Sequence, residues 1–129
     1  MRNLAILLCI ILAVSITSCR KDFSTSPSFG QLEFSKDTVF LDTIFTNIGS
    51  ATYNLKVYNR SNDDITIPNI ALERGTNSNY RMNVDGIPGK DFQNIDILAK
   101  DSIFIFVETT VDISLVSSPL YTDRILFDN

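Results

Sequence analysis

Few side chains in this sequence have the chemistry for catalysis or for binding a transition metal. The chain has 129 residues and no His, the residue type that most often serves as general base and as metal ligand. Its two Cys residues, Cys9 and Cys19, both lie near the N-terminus. It contains neither a Gly-rich phosphate-binding loop nor a strained Ser nucleophile motif. We therefore predict that the protein is not an enzyme and needs no cofactor.

Carboxylates are the remaining candidates for acid–base chemistry or for a calcium site. A pair of Asp side chains can hydrolyse a glycosidic bond. Most Asp residues here fall in predicted turns, where Asp is favoured because its side chain hydrogen-bonds the nearby backbone. The candidates are Asp85, Asp91, Asp96 and Asp101. Residues 62–64 and 85–86 also offer oxygen ligands, but their spacing matches no known calcium loop. The sequence therefore favours turns and predicts no metal site.

The charge balance bears on nucleic acid as a partner. Lys and Arg number 11 against 15 Asp and Glu, which gives a net charge of −4. Binding to a phosphate backbone requires a basic patch. No nucleic-acid partner is therefore predicted.

An apolar run precedes Cys19. Residues 4–16 (LAILLCIILAVSI) follow Arg2 and are interrupted only by Ser15. As an α-helix this run would be about 20 Å long, which is shorter than the ~30 Å hydrocarbon core of a bilayer. The length therefore indicates the core of a signal peptide rather than a transmembrane helix.

The residues Ile16-Thr17-Ser18-Cys19 resemble the lipobox of bacterial lipoproteins, in which the Cys sulfur is joined to a diacylglycerol. The resemblance implies that residues 1–18 are a cleaved signal peptide and that Cys19 is the lipidation site, a membrane anchor. Each buried acyl CH₂ contributes about 0.8 kcal/mol, so more than one chain gives lasting attachment. The alternative is ordinary secretory cleavage that leaves Cys19 unmodified.

The residues after Cys19 bear on localisation. By resemblance to lipoprotein sorting rules, the lack of Asp directly after the Cys favours the bacterial outer membrane. The pair Lys21-Asp22 is similar to surface-export signals of some Gram-negative lineages, so the periplasmic and the surface face both stay open. Residues 19–30 are rich in Ser and include Pro27 and Gly30, a composition that predicts a flexible tether.

From residue 31 onward, short β-like runs alternate with turn clusters. The runs cover residues 32–34, 38–46, 52–59, 65–72, 80–84, 95–98, 102–111 and 121–127, with a bend at Pro68. This spacing predicts an all-β domain over residues 31–129, an antiparallel Ig-like β-sandwich of about seven strands after the N-terminal signal helix. The residues predicted to lie in or near the core are Phe40, Ile44, Leu55, Val57, Ile67, Ile70, Leu98, Phe104, Phe106 and Leu126.

The order of these runs carries a second resemblance. The stretches TYNLKVYNRSNDDITIPNIAL, YRMNVDG and NIDILAKDSIFIFVETTVD look like immunoglobulin-like domains of the ASPM/SPD-2/Hydin type, which are common in bacterial surface proteins. The resemblance covers residues 32–129 and implies a structural or binding module with no shared catalytic residues. In such domains a strand like YTDRILFDN is followed by a closing strand. Three interpretations stay open: a piece of a longer protein, a domain that is already complete, or a sandwich that a partner's strand completes.

Several surface sites are candidates for modification or binding. Thr38, Thr43 and Ser102 each stand between an Asp and an aliphatic residue, which resembles the O-glycosylation sequon of some Gram-negative lineages. Alternating strands also produce such triplets by chance. The Tyr residues are candidate anchors for a protein or glycan ligand, although cross-strand packing is the alternative. They are Tyr53, Tyr58, Tyr80 and Tyr121.

Together these observations predict a non-catalytic, lipid-anchored cell-envelope protein that acts as an interaction or spacer module. We expect it to be the N-terminal part of a larger surface protein. Two alternatives are a pilus-like assembly subunit completed by a donated strand, and an accessory domain of an enzyme encoded downstream.

Overall fold

Strands account for nearly all of the regular structure. The computed structural model describes residues 24–28, 32–45, 47–112, 114 and 120–128. The described strands are β1 (Ser26–Pro27), β2 (Leu32–Phe34), β3 (Tyr53–Asn59), β4 (Ile65–Leu72), β5 (Tyr80–Val84), β6 (Ile87–Gly89), β7 (Asp91–Ile97), β8 (Ser102–Thr109) and β9 (Ile125–Asp128). Among the described residues, one 3₁₀ turn lies at Gly75–Asn77. Within the described ranges, no helix has the length and apolar character that crossing a membrane requires.

The strands form two sheets. One sheet has the order β2-β3-β8-β5-β6. In the other sheet β4 pairs with β7 on one edge and with β1 and β9 on the other. Every ladder is antiparallel except the short β1–β4 pair. The predicted all-β antiparallel sandwich is therefore confirmed, and its described contacts begin at Ser26, inside the segment for which the sequence predicts a tether.

Alternating apolar side chains fill the space between the sheets. Such burial stabilises the fold by about 1.5–3 kcal/mol for each large aliphatic side chain. The buried apolar residues are Leu55, Val57, Ile65, Ile67, Ile70, Leu72, Met82, Val84, Phe92, Ile97, Ile103, Ile105 and Val107.

The bend predicted at Pro68 changes the face that β4 presents to the core. Ile67 is buried before the Pro, whereas Ile70 and Leu72 are buried after it, so the alternation shifts by one residue. Pro68 lacks the N–H that a ladder bond needs. Opposite it in β7, Asn94 has a φ of 54°. On one edge, β4 pairs with β1 before Pro68 and with β9 after it.

Half of the residues predicted to lie in or near the core are exposed instead. Leu55, Val57, Ile67 and Ile70 are buried as predicted, and Ile44 is half-buried. The exposed residues are Phe40, Leu98, Phe104, Phe106 and Leu126. In β8 both faces are apolar, and it is the Ile103–Ile105–Val107 face that points inward. Phe104 (44% exposed) and Phe106 (38%) consequently lie outside, because neighbouring strand residues point to opposite faces.

The prediction of a strand over residues 38–46 is also wrong for the described residues 38–45, which belong to no strand. The pairing of β2 with β3 ends at Ser35. The Ser35 N–H donates to the Lys56 carbonyl (2.9 Å), but the Lys56 N–H donates to Ser35 Oγ (2.9 Å) instead of a backbone carbonyl. Beyond this point the chain leaves β3, and Val39 and Leu41 pack half-buried against the core.

Candidate partner-binding groove

An apolar groove opens at the side of the sandwich, between β9 and residues 36–41. Its volume is about 620 Å³, within the ~300–1,000 Å³ that ligand sites occupy. Its wall includes Phe34, Leu55, Leu72, Val107, Ile125 and Phe127. Residues 36–41 contribute because they leave the ladder at Ser35 and cross in front of the open side of the core.

Large apolar side chains project from the rim of this groove. Phe40 is 81% exposed and Leu120 is 76% exposed, and Leu126 is also exposed. Single exposed apolar residues are ordinary, but a cluster of them around a concave apolar surface is typical of an interaction site.

No described strand pairs with one edge of β9, the strand that borders the groove. Glu73 N–H donates to the Arg124 carbonyl (2.9 Å), which continues the antiparallel β4–β9 ladder. In such a ladder alternate residues bond to opposite sides. The N–H and C=O groups of Ile125 and Phe127 therefore point away from β4. Among the described residues, no backbone hydrogen bond uses these groups.

A polar cluster closes one end of the groove. The Tyr80 hydroxyl donates to the Tyr121 carbonyl (2.7 Å), and the Tyr121 hydroxyl accepts from the Asn79 N–H (3.0 Å). The two Tyr ring centroids are 5.2 Å apart. Burial raises the pKa of Tyr80, and the neighbouring Tyr121 and Asp123 raise it further, while Arg74 opposes them.

Asp123 presents an unsatisfied acceptor at this end. Its Oδ1 accepts from the N–H groups of Arg74 (3.3 Å) and Arg124 (2.8 Å). Its Oδ2 is buried and has no hydrogen-bond partner among the described residues. Asp123 lines the groove, but its Oδ2 is shielded from the groove by neighbouring atoms.

Two of the carboxylates considered for catalysis lie in β7 instead of a turn and make hydrogen bonds to β4. Asp91 Oδ1 accepts from Asn69 Nδ2 (3.0 Å), and Asp96 Oδ1 accepts from Thr66 Oγ1 (2.6 Å). Asp85 occupies a turn with a φ of 49°. In the described part of the chain, no group of three or more His, Cys, Asp or Glu side chains is arranged to hold a metal ion.

The three predicted modification sites lie in different surroundings. Thr38 is exposed and lines the groove. Thr43 is exposed, and its N–H donates to Asp42 Oδ1 (2.6 Å). Ser102 begins β8, half-buried, and its N–H donates to Asp101 Oδ1 (2.7 Å). In these last two triplets the Asp therefore bonds the backbone of the residue that follows it. The predicted lipidation site Cys19 lies outside the described residues.

The four Tyr residues separate into two groups. Tyr80 and Tyr121 meet at the groove. Tyr53 does not line the groove, and its hydroxyl accepts from the Asp42 N–H (3.4 Å). Tyr58 lies on the outer face of the five-stranded sheet, with the Arg60 guanidinium 4.2 Å from its ring centroid.

The outer face of the five-stranded sheet carries an aromatic surface that the sequence prediction missed. The Phe104 and Phe106 ring centroids are 5.9 Å apart with an interplanar angle of 18°. Lys56 Nζ lies 5.1 Å from the centroids of both Tyr58 and Phe104. The signal in the sequence was the unbroken apolar run of β8, in which one of the two apolar faces has to point outward.

In comparisons with known proteins, no family model, curated protein or solved structure matches this chain. The function is therefore argued from its own residues.

Proposed function

We propose that this chain is a non-catalytic, lipid-anchored protein of the bacterial cell envelope that acts as an interaction module and binds its partner in the groove. The observation that carries the proposal is the set of exposed apolar side chains at the groove, Phe40, Leu120 and Leu126. Exposed apolar surface is unfavourable in water, so burying this surface against a partner would favour binding.

The anchor is supported by the sequence, in which the lipobox-like residues 16–19 end an apolar signal core. We further propose that Cys19 carries the lipid and that the protein is the membrane-proximal part of a larger surface protein of the outer membrane. At ~3.6 Å per residue, the stretch from Cys19 to Ser26 spans at most about 25 Å. The groove would then lie close to the membrane surface.

The anchor is tested by the intact mass of the native protein extracted from membranes. We expect a chain that begins at Cys19 and carries acyl groups, and we expect the Cys19→Ser variant to leave the membrane fraction. An unmodified native protein in the soluble fraction would disprove the anchor.

The interaction is tested by photo-crosslinking in intact cells. A photoreactive residue at Phe40 should give an adduct of one defined mass. The matched control is Phe45, which is 72% exposed but does not line the groove. Equal yields at the two positions, or no adduct at Phe40, would contradict binding in the groove.

A second candidate function is a subunit of an assembly whose sandwich is completed by a donated strand. The open edge of β9 favours it, because unpaired edge strands accept extended chains.

A further inference from the structure

We propose that the groove binds one extended segment of a partner chain, which adds to β9 as an antiparallel strand with a defined order of side chains. This inference rests on the proposed function, since it specifies what the groove binds. It combines the β9 edge that no described strand pairs, the apolar wall and the charges along β9.

The outward backbone groups of β9 determine which residues of an incoming strand would pair with it. The outward N–H and C=O groups of Ile125 and Phe127 are spaced two residues apart, as an incoming antiparallel strand requires. Two residues of the incoming strand would each exchange a pair of backbone hydrogen bonds, one with Ile125 and the other with Phe127. The residue between those two would turn its own backbone groups away from β9.

The side-chain pattern follows from the pairing. Directly opposed residues in a sheet place their side chains on the same face. Ile125 and Phe127 face the core, so the two residues opposite them point into the groove and must be apolar. The residue opposite Leu126 lies outside and can be polar.

Charges along β9 select the direction of the incoming strand. Arg124 directly precedes β9 and Asp128 ends it, and both are exposed on the outer face. The Arg124 guanidinium also contacts Glu73 Oε1 (3.4 Å), a weak exposed pair with which an incoming acid would compete. A base at the N-terminal end of an antiparallel strand would meet Asp128, and an acid near its C-terminal end would meet Arg124. The next residue would point inward, toward the end of the groove that Asp123 lines.

A second copy of this chain fits the groove less well than a partner segment. Two β9 edges could pair with each other and satisfy their backbone groups. However, each copy would bring Ile125 and Phe127 side chains that already pack against its own core. Each copy would also bring its own residues 36–41, which border the groove. A single extended segment both pairs with the edge and fills the apolar space.

The test uses the full chain purified from membranes in detergent and a labelled peptide, Lys-Ile-Thr-Val-Glu-Thr, blocked at both ends. We expect saturable binding by fluorescence anisotropy. Exchange of the Lys and Glu should weaken binding about threefold, in the range of exposed ion pairs. N-methylation of Ile or Val, which removes a donor to β9, should weaken it about tenfold or more. N-methylation of the central Thr should have little effect. Equal losses at all three positions would overturn strand addition.

Variants of the protein locate the site. Phe40→Ser should weaken peptide binding, whereas the exposed control Phe45→Ser should leave it unchanged. Arg124→Glu should abolish the preference between the two charge orders, because both ends of β9 would then be acidic. A reversed preference in the unaltered protein would overturn the proposed strand direction, and dimerisation through β9 without peptide would favour the second copy instead.

The peptide-binding and crosslinking experiments together separate failure of strand addition from failure of the proposed function. Absence of peptide binding together with a specific crosslink at Phe40 would disprove strand addition and leave the proposed function standing. Absence of both would disprove the two proposals together.

Discussion

The rings of Phe34 and Phe127 meet with their centroids 4.8 Å apart and their planes inclined at 57°. Phe34 ends β2 at the edge of one sheet, and Phe127 lies in β9 at the edge of the other. This contact therefore joins the two sheets beside the groove. Since β9 has four residues and pairs only with β4 among the described strands, the aromatic contact helps to fix its position.

The two rings are expected to be energetically coupled. In a double-mutant cycle of Phe34→Ala and Phe127→Ala, followed by urea unfolding, we expect a coupling free energy of about 0.5–1.5 kcal/mol, the range of aromatic pairs. As a control, the exposed Phe45→Ala should combine additively with Phe127→Ala. Additive effects for the Phe34–Phe127 pair would show that the contact contributes nothing of its own.

Asn59 is a buried polar residue that joins two turns. Its Nδ2 donates to the carbonyls of Asp63 (2.7 Å), Ile97 (3.1 Å) and Leu98 (3.0 Å). Its Oδ1 accepts from the N–H and the hydroxyl of Ser61. The side chain thus ties the β3–β4 turn to the end of β7.

Replacement of Asn59 by Leu should lower the free energy of unfolding by about 2–3 kcal/mol. The variant leaves the buried carbonyl groups without a donor, and each unpaired buried group is costly. Chemical denaturation monitored by circular dichroism measures the loss. Asn62→Leu, an exposed change in the same turn, should stay within about 0.5 kcal/mol of the native protein. Similar effects at the two positions would disprove the assigned role of Asn59.

Neighbouring residues of β8 should differ sharply in their contribution to stability. Ile105 is fully buried, whereas Phe106 projects from the outer face. Ile105→Ala should lower the free energy of unfolding by about 2–5 kcal/mol, because it leaves a cavity in the core. Phe106→Ala removes a larger side chain but should cost about 1 kcal/mol or less, since no cavity forms. A larger loss for Phe106 would mean that the faces of β8 are assigned the wrong way round.

The contrast within β8 explains how far the sequence could predict the structure. Alternation and turn residues located β3, β4, β5 and β8, and Pro68 located the bend in β4. The inward face of β8 could not be predicted, because Ile103 and Phe104 are equally apolar and only the opposite sheet selects between them.

The groove could not be predicted from local pattern either. At its border, the Ser35 hydroxyl accepts the Lys56 N–H and so ends the β2–β3 ladder. The groove also brings together residues that are distant in the sequence, such as Phe40 and Leu126. The apolar character of residues 38–46 was visible, but a strand was the simplest interpretation of it. The interruption of that strand depends on tertiary contacts, which a pattern of residue types does not contain.

The hydroxyl of Tyr80 should make stability depend on alkaline pH. Burial, together with Tyr121 and Asp123, raises the pKa of Tyr80 above the ordinary tyrosine value of about 10. The folded protein therefore holds this proton more tightly than the unfolded chain does. The stabilisation is fully present below about pH 10 and is lost as the pH rises through the raised value, since the unfolded state ionises first.

Tyr80→Phe should accordingly have two effects on the free energy of unfolding. Near neutral pH the variant should be less stable by about 1 kcal/mol, because the hydrogen bond to the Tyr121 carbonyl is lost. Between about pH 9 and pH 11 its stability should fall less steeply than that of the native protein, because the group whose pKa is raised by burial has been removed. Urea unfolding at a series of pH values measures both. Tyr58→Phe, on the outer face of the five-stranded sheet, removes a phenol away from the groove and should retain the native slope. If Tyr80→Phe also retained the native slope, the Tyr80 hydroxyl would not be the source of the stability lost at alkaline pH.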